Sequence, residues 1–401
     1  MNEILLRSPE VNEAYDATLP EFNAYAEEVA TWFAAQDMIY AEVDEAARDH
    51  AGGDRAFGFR IALKLAESRR LISGLDQPVT ITLINPVYKE TGRIQRRAEH
   101  PHGEDSIRCK AEILKGLEKL SDHLTCRLLV VDDECPDGSG KMAAEIFESD
   151  YPDELSSGKF DVLYLREAID AGHPDVPPGL THKDGPNRSV KGGALLYGMR
   201  TAVNHEVDGL HILVDNDADL SIHPAQLGLL IEPIVNGEAE AVAGSRREID
   251  SVALIGGSRD TRGQLFIKIW QHLLPELAGT VVDTNRAFKA FTAGALAKIL
   301  GRIGIYTFPY QIELLQACVS GGIGLRTRGI AYVDSEAAST QQGEAITETY
   351  LNQVHQIIDI ATRYQTIDMA DPLVGFLSNI SEERWLSIET DPPDRLGDLL
   401  P

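Results

Sequence analysis

LHILVDNDADLSIHP, Leu210 to Pro224, is the stretch on which the reading of this chain turns. Its first half is an apolar run that reads as a buried strand. Its second half sets three carboxylates at two-residue intervals: Asp215, Asp217 and Asp219. Carboxylates crowded at a strand end repel one another unless a cation or a hydrogen-bond donor sits among them. Hard oxygen donors in such a cluster suit Mg²⁺ or Mn²⁺, and these ions usually hold a substrate phosphate as well. The stretch predicts a metal–diphosphate site at the C-terminal edge of an α/β sheet, where open sheets place their ligands. A strand followed by a solvated acidic turn would read the same in isolation, so the other segments decide.

Working outward, VTITLINPVYKE (Val79–Glu90) is a β-branched strand running into a Pro turn. CRLLVVDDECPDGSG (Cys126–Gly140) is a second buried strand ending in acids and a Gly-rich turn. FDVLYLRE (Phe160–Glu167) is a third, HILVDNDAD the fourth and AVAGSRR (Ala241–Arg247) a fifth. Helices are expected from about Ser106 to Leu120, over Lys141–Ser149, after the Gly-Gly of RSVKGGALLYGMRTAV (Arg188–Val203), and in PAQLGLLIEPIV. Near-continuous apolar strands alternating with helices predict a mostly parallel sheet covered on both faces.

The flanks carry no evident chemistry. Residues 1–76 read as a helical extension, with Phe22, Tyr25, Val29, Trp32 and Phe33 at helical spacing and a second periodic run from Phe57 to Leu75. Residues 77–340 form the main domain. Residues 341–401 read as a C-terminal helix (Ile346–Tyr364) and a Pro- and Asp-rich tail.

Composition narrows the function. The 401 residues are 43% hydrophobic, ordinary for a globular chain. No apolar stretch is long enough to span a bilayer, and the N-terminus lacks the pattern of a signal peptide, so a cytoplasmic protein is expected. A peripheral membrane contact and a homo-oligomer stay open. Cys109, Cys126, Cys135 and Cys318 are scattered and read as reduced thiols. The net charge of −26 argues against nucleic acid as a partner. A phosphate-bearing substrate must therefore be drawn by local cations or a metal. Twelve Lys against 25 Arg fits either a salty cytoplasm or a GC-rich genome.

No G-x-G-x-x-G follows the first strand and no Walker A sequence is present, which argues against a dinucleotide fold and a P-loop NTPase. Asp132 and Asp133 end the second strand. An Asp there can accept the imide N–H of uracil or the N1–H and amino group of guanine, or it can cap the helix that follows. Arg188 and Lys191-Gly192-Gly193 open a helix, a natural anion site.

The order of these segments resembles the GT-A glycosyltransferases of family 2, especially dolichyl-phosphate glucose and mannose synthases. Their opening VxVVIPxYNE is similar to ITLINPVYKE, and VVDDxSxDGT to VVDDECPDGSG with Cys135 in place of Ser. N-x-GKGxA is matched by NRSVKGGALLYGM, and DADL is present unchanged at Asp217–Leu220. DTQCGFKxF resembles DTNRAFKAF (Asp283–Phe291), and the closing motif resembles the run from Phe308 to Thr340. Ala287 for Gly, Arg286, a long loop from Thr91 to Asp105 and the helical extension depart from the pattern.

The resemblance implies a GT-A, Rossmann-like fold and transfer of a hexose from a UDP- or GDP-sugar with Mg²⁺ or Mn²⁺. It implies that Pro86, Tyr88 and Glu90 line the nucleotide pocket and that Asp133, with Asp132, binds the base. Lys191 is placed near the sugar–phosphate, Asp217 and Asp219 at the ribose and metal, and Arg246, Arg259 and Arg262 at donor and acceptor phosphates. Asp215 has no counterpart and reads as structural.

Transfer builds negative charge on the departing diphosphate, which a divalent ion and either Lys191 or the Arg group would offset. A hydroxyl acceptor needs a base, for which Asp283 or Glu313 is the candidate; a phosphate acceptor, including a polyprenyl phosphate, needs none. Two alternatives remain: a sugar-phosphate nucleotidyltransferase, for which PVYKETGRIQRR is a poor Gly-rich loop, and a non-catalytic protein that keeps the fold.

Overall fold

The structure is a computed structural model. It describes residues 1–9, 19–36, 38–50, 53–255, 257–284, 286–334, 345–368 and 370–400, with backbone only for 54, 257–262 and 345–349. The five apolar runs form β1 (Val79–Val87), β2 (Leu124–Asp132), β3 (Phe160–Tyr164), β4 (Leu210–Asp215) and β5 (Ala241–Ser245). Every residue of β1 is buried, as a strand covered on both faces requires. Four further strands are β6 (Val252–Leu254), β7 (Lys289–Thr292), β8 (Leu325–Gly329) and β9 (Ala331–Val333).

Seven strands make one sheet in the order β3-β2-β1-β4-β7-β5-β8, and β6 pairs with β9 in a small parallel sheet. In the large sheet only β7 runs antiparallel, against β4 and β5. The sheet is therefore mostly parallel, as expected. Alternation along the strands divides the core. Ile81, Leu83, Leu128, Val130, Ile212 and Val214 pack on the helices Ser106–Glu118, Ser139–Asp150 and Leu227–Val235. Ile84, Leu129, Val131 and Leu213 point the other way, onto the helices Gly192–Val203, Ala293–Ile299 and Tyr310–Ser320.

The N-terminal helices Pro20–Ala34, Tyr40–Arg48 and Asp54–Ser73 share one apolar cluster with the small sheet, in which Phe22, Val29 and Phe59 lie with Val252, Ala331 and Val333. Polar bonds lock this layer down. Lys64 Nζ, fully enclosed, donates to Gly329 O (2.8 Å) and Asp250 Oδ2 (3.0 Å), and Gly228 N donates to Ser68 Oγ (2.8 Å). At the other end, the helix Ala345–Tyr364 packs with the helix Gly257–Leu273 around Trp270, Leu351, Val354 and Ile358.

Three expectations are corrected. The third strand stops at Tyr164, where Leu165–Asp170 turns helical. The C-terminal tail holds two helices, Pro372–Ser378 and Glu382–Thr390, each begun by a side-chain cap, from Asp371 and Ser381. Strands β6, β7 and β9 escape the sequence reading because each has four residues or fewer, and β8, LRTRG, because it is polar. Among the described residues, no helix is long and apolar enough to cross a membrane.

Candidate active site

A cleft of about 1190 Å³ opens where β1, β2 and β4 end. The parallel strands deliver their polar termini to one edge, so segments more than a hundred residues apart in sequence meet there. Pro86, Tyr88, Glu90, Asp133, Lys191, Asp217, Asp219, Arg246 and Asp283 all line it.

Asp133 ties two segments of the cleft together. It follows β2 and is 2% exposed. Its Oδ2 accepts from Lys191 N (2.9 Å) and Lys183 Nζ (2.8 Å), while its Oδ1 has no partner. The Lys183 ammonium also lies over the Tyr88 ring, 4.5 Å from its centroid. Lys191 sits at the N-terminus of the helix Gly192–Val203 with φ of +70°, and its ammonium forms an ion pair with Asp217. A backbone bond and a salt bridge thus join the ends of β2 and β4 through one lysine. Burial pushes the Lys191 ammonium down to about 8, although Asp215 and Asp219 oppose the shift.

The acidic turn after β4 is held from beneath. Lys110, fully enclosed, donates to Asn85 Oδ1 (2.5 Å), Asp217 O (2.6 Å) and Ala218 O (2.9 Å). Burial brings its ammonium down to about 8 against the pull of Asp219, Glu104 and Glu90. Leu220 N donates to Glu104 Oε2 (3.1 Å) and Ser221 N to Asp219 Oδ1 (3.2 Å). Asp215 is wholly enclosed behind the turn, where burial raises its carboxyl despite Lys289. Glu90 is raised by burial too, while Arg93 Nη1 donates to its Oε2 (2.7 Å).

No set of three or more His, Cys, Asp and Glu side chains among the described residues is arranged as a ready metal cage. Two carboxylates of one cleft turn, Asp217 and Asp219, would be the donor set for a metal, and Asp217 is engaged by an ammonium. That set fits a hard divalent ion whose remaining ligands come from water and a substrate phosphate, as is usual for Mg²⁺.

Several sequence candidates prove to be committed elsewhere. Asp132 does not line the cleft. Its oxygens accept from Cys135 N (2.8 Å) and Gly140 N (2.9 Å), fixing the turn and the first turn of the helix Ser139–Asp150. Glu313, 0% exposed, is also absent from the cleft wall: it accepts from Gly304 N (3.1 Å) and Ile305 N (2.7 Å) and pairs with Arg363. Asp283 reaches the cleft but is clamped by Arg246, whose Nε (2.7 Å) and Nη2 (2.8 Å) each donate to one of its oxygens. Burial alone would raise that carboxyl; Arg246 overrides it and brings it down to about 2, too acidic for a general base. The side chains of Arg259 and Arg262 lie outside the described residues.

The structure adds cleft and support residues to which the sequence assigned no role. Arg286 lines the cleft with its guanidinium 4.8 Å from the Tyr332 ring centroid. Lys183 comes from a Pro-, Gly- and His-rich loop between the helices Leu165–Asp170 and Gly192–Val203. Lys110 did leave a signal: it stands in the apolar stripe Ile107, Ala111, Leu114.

No family model matches the sequence. Solved structures with a similar chain path include glucosyl-3-phosphoglycerate synthase from Mycobacterium tuberculosis with Mn²⁺, uridine diphosphate and phosphoglyceric acid. That match has 17% identity over 76% of this chain and 84% of the other, with a TM-score of 0.47. The same synthase with Mn²⁺, UDP-glucose and phosphoglyceric acid matches at 17% identity, 76% and 85% coverage and a TM-score of 0.44.

Proposed function

We propose that this chain is a GT-A glycosyltransferase that moves a hexose from a uridine-diphosphate sugar, with Mg²⁺ or Mn²⁺, to a separate acceptor. The observation that carries the reading is the bonded series Asp133–Lys191–Asp217 across the ends of two parallel strands, with Asp219 on the same wall. The resemblance to dolichyl-phosphate glucose and mannose synthases contributes the donor half only.

Asp133 favours uracil over guanine. Guanine presents two adjacent N–H donors and needs both oxygens of a carboxylate, whereas uracil presents one. Oδ2 is already taken by Lys183 and Lys191, which leaves Oδ1 for one donor. Tyr88 and the Lys183 ammonium supply a ring face and a donor for a base carbonyl beside it.

Lys191, at a helix N-terminus, faces the diphosphate and steadies its charge as the anomeric C–O bond breaks. Asp217 and Asp219 hold the divalent ion, which when bound neutralises the leaving diphosphate. The bonding pair leaves with the diphosphate, the acceptor oxygen bonds to the anomeric carbon, and a hydroxyl acceptor's proton passes to water. Arg246 keeps Asp283 ionised and fixed, so that pair shapes the wall rather than moving a proton.

The test is a thermal-shift panel of UDP- and GDP-sugars with Mn²⁺. A uridine compound at a hundred times its Kd should stabilise the protein by roughly 2.7 kcal/mol, and Asp133→Ala should abolish the response. A guanosine preference would overturn the base assignment, and no response to either nucleotide would overturn the enzyme reading.

A further inference from the structure

The cleft has a wall from a part of the chain to which the sequence assigns no chemistry. In the helix Ala345–Tyr364, Asn352, Gln356 and Asp359 line the cleft at i, i+4 and i+7 and are not buried. This face is bonded to the Lys191 loop. Tyr306 O accepts from Val190 N (2.9 Å) and Gly193 N (3.0 Å), and the next residue, Thr307, donates from Oγ1 to Gln356 Oε1 (2.6 Å). Arg363, from the last turn of the same helix, pairs with the Glu313 that holds Gly304 and Ile305. One run of contacts therefore leads from the proposed diphosphate position to this helix.

The wall carries unmet hydrogen-bonding capacity of both kinds. Gln353, 3% exposed, has an Oε1 with no partner, and Trp270, 0% exposed, has an Nε1 with none. Both are cleft residues from helices that pack together. A buried polar atom left unpaired costs on the order of 1–3 kcal/mol, so a ligand that answers both gains from doing so.

We infer that this wall is the acceptor subsite and that its ligand is a neutral polyhydroxylated molecule, a sugar or a polyol. The inference rests on the donor reading above. A hydroxyl donates and accepts, so it serves Gln353 Oε1, Trp270 Nε1 and the amides of Asn352 and Gln356 alike. An ionised phosphate only accepts: it would leave Gln353 unanswered and would face the carboxylate of Asp359. No Lys or Arg of this helix lines the cleft among the described residues. A polyprenyl chain would need an apolar channel where these amides stand.

The experiment uses the full chain and the UDP-hexose that stabilises it best. Candidate acceptors are glycerol, glucose and myo-inositol, against glycerol 3-phosphate and a detergent-dispersed polyprenyl phosphate. Transfer to a neutral probe is expected. Asn352→Ala and Gln356→Ala should each raise its KM tenfold or more while the thermal shift with UDP and Mn²⁺ stays at the wild-type value. Asn352 is exposed, so its truncation leaves the packing intact. A merely structural role would move the UDP response as well. Transfer to phosphorylated probes alone, transfer to none of the neutral ones, or a KM unchanged in both variants overturns the inference and leaves the donor reading standing. A wild-type protein that ignores UDP removes both.

Discussion

Lys191 is where the proposed chemistry of this chain concentrates. Its backbone serves Asp133 and its ammonium serves Asp217, from a left-handed φ that side chains rarely adopt. Lys89, Glu134 and Phe288 share that sign of φ, and each adjoins a cleft residue or lies one position from one. Such strain persists where the surroundings enforce it, and it gathers at sites. The ammonium holds the carboxylate that a divalent ion would claim, so the two cations would compete for one seat. Lys191→Met should therefore bind Mn²⁺ without nucleotide about tenfold more tightly, a gain of about 1.4 kcal/mol. Electron paramagnetic resonance titration of free Mn²⁺ checks this, and equal affinities in the two proteins would show that Lys191 does not occupy that seat. The same variant should lose most of its stabilisation by UDP.

At the scale of the element, the helix Gly192–Val203 enters the site because its first residue has no side chain. A Cβ on Gly192 would lie 2.8 Å from the Tyr306 carbonyl carbon and oxygen and 2.8 Å from Tyr310 Cδ1. Gly192→Ala must push that loop aside. A loss of about 1–3 kcal/mol is expected, seen in urea as a lower midpoint with an unchanged slope. An unchanged midpoint would mean that the loop yields freely. Elements of this kind were legible in the sequence. The first, second, fourth and fifth strands announce themselves as apolar runs with polar ends, and Lys191-Gly192-Gly193 sits at the start of its helix as read. The short strand β7, which begins within DTNRAFKAF, was not legible, because four residues carry too little periodicity to declare a strand. Partners were illegible too. Asp283 and Glu313 stand in the sequence as two carboxylates, and nothing local reveals that Arg246 and Arg363, 37 and 50 residues away, consume them. Asp132, the last residue of β2, and Asp133, the first beyond it, have opposite fates, one bonded into a turn and the other lining the cleft.

The molecule as a whole is built from layers that complete one another. The helices before residue 76 cover Val252, Ala331 and Val333, and Lys64 and Arg60 bond to the backbone around Asp250 and Gly329. We read residues 1–76, 77–340 and 341–401 as structural segments that share cores rather than as separable units. A chain lacking the first 76 residues should lose on the order of 5 kcal/mol from newly exposed Val252, Val333 and Ala331 alone, before the helical contacts are counted. Calorimetry of the truncated protein tests this: an unchanged melting temperature would make the extension dispensable. The body carries a net charge of −26, while Lys183, Lys191, Arg246 and Arg286 face the cleft. An anionic donor of the kind proposed would be repelled by the net charge and drawn by these cations in the cleft.

Lys110 bears on when the acidic turn acquires its shape. Its ammonium, shut away from water, grips two consecutive carbonyls of that turn and the side chain of Asn85. The conformational entropy of arranging Asp217 and Asp219 is therefore surrendered as the chain folds. A donor of the kind proposed would find the scaffold rigid, and its free energy of association would go into displacing water and exchanging ions.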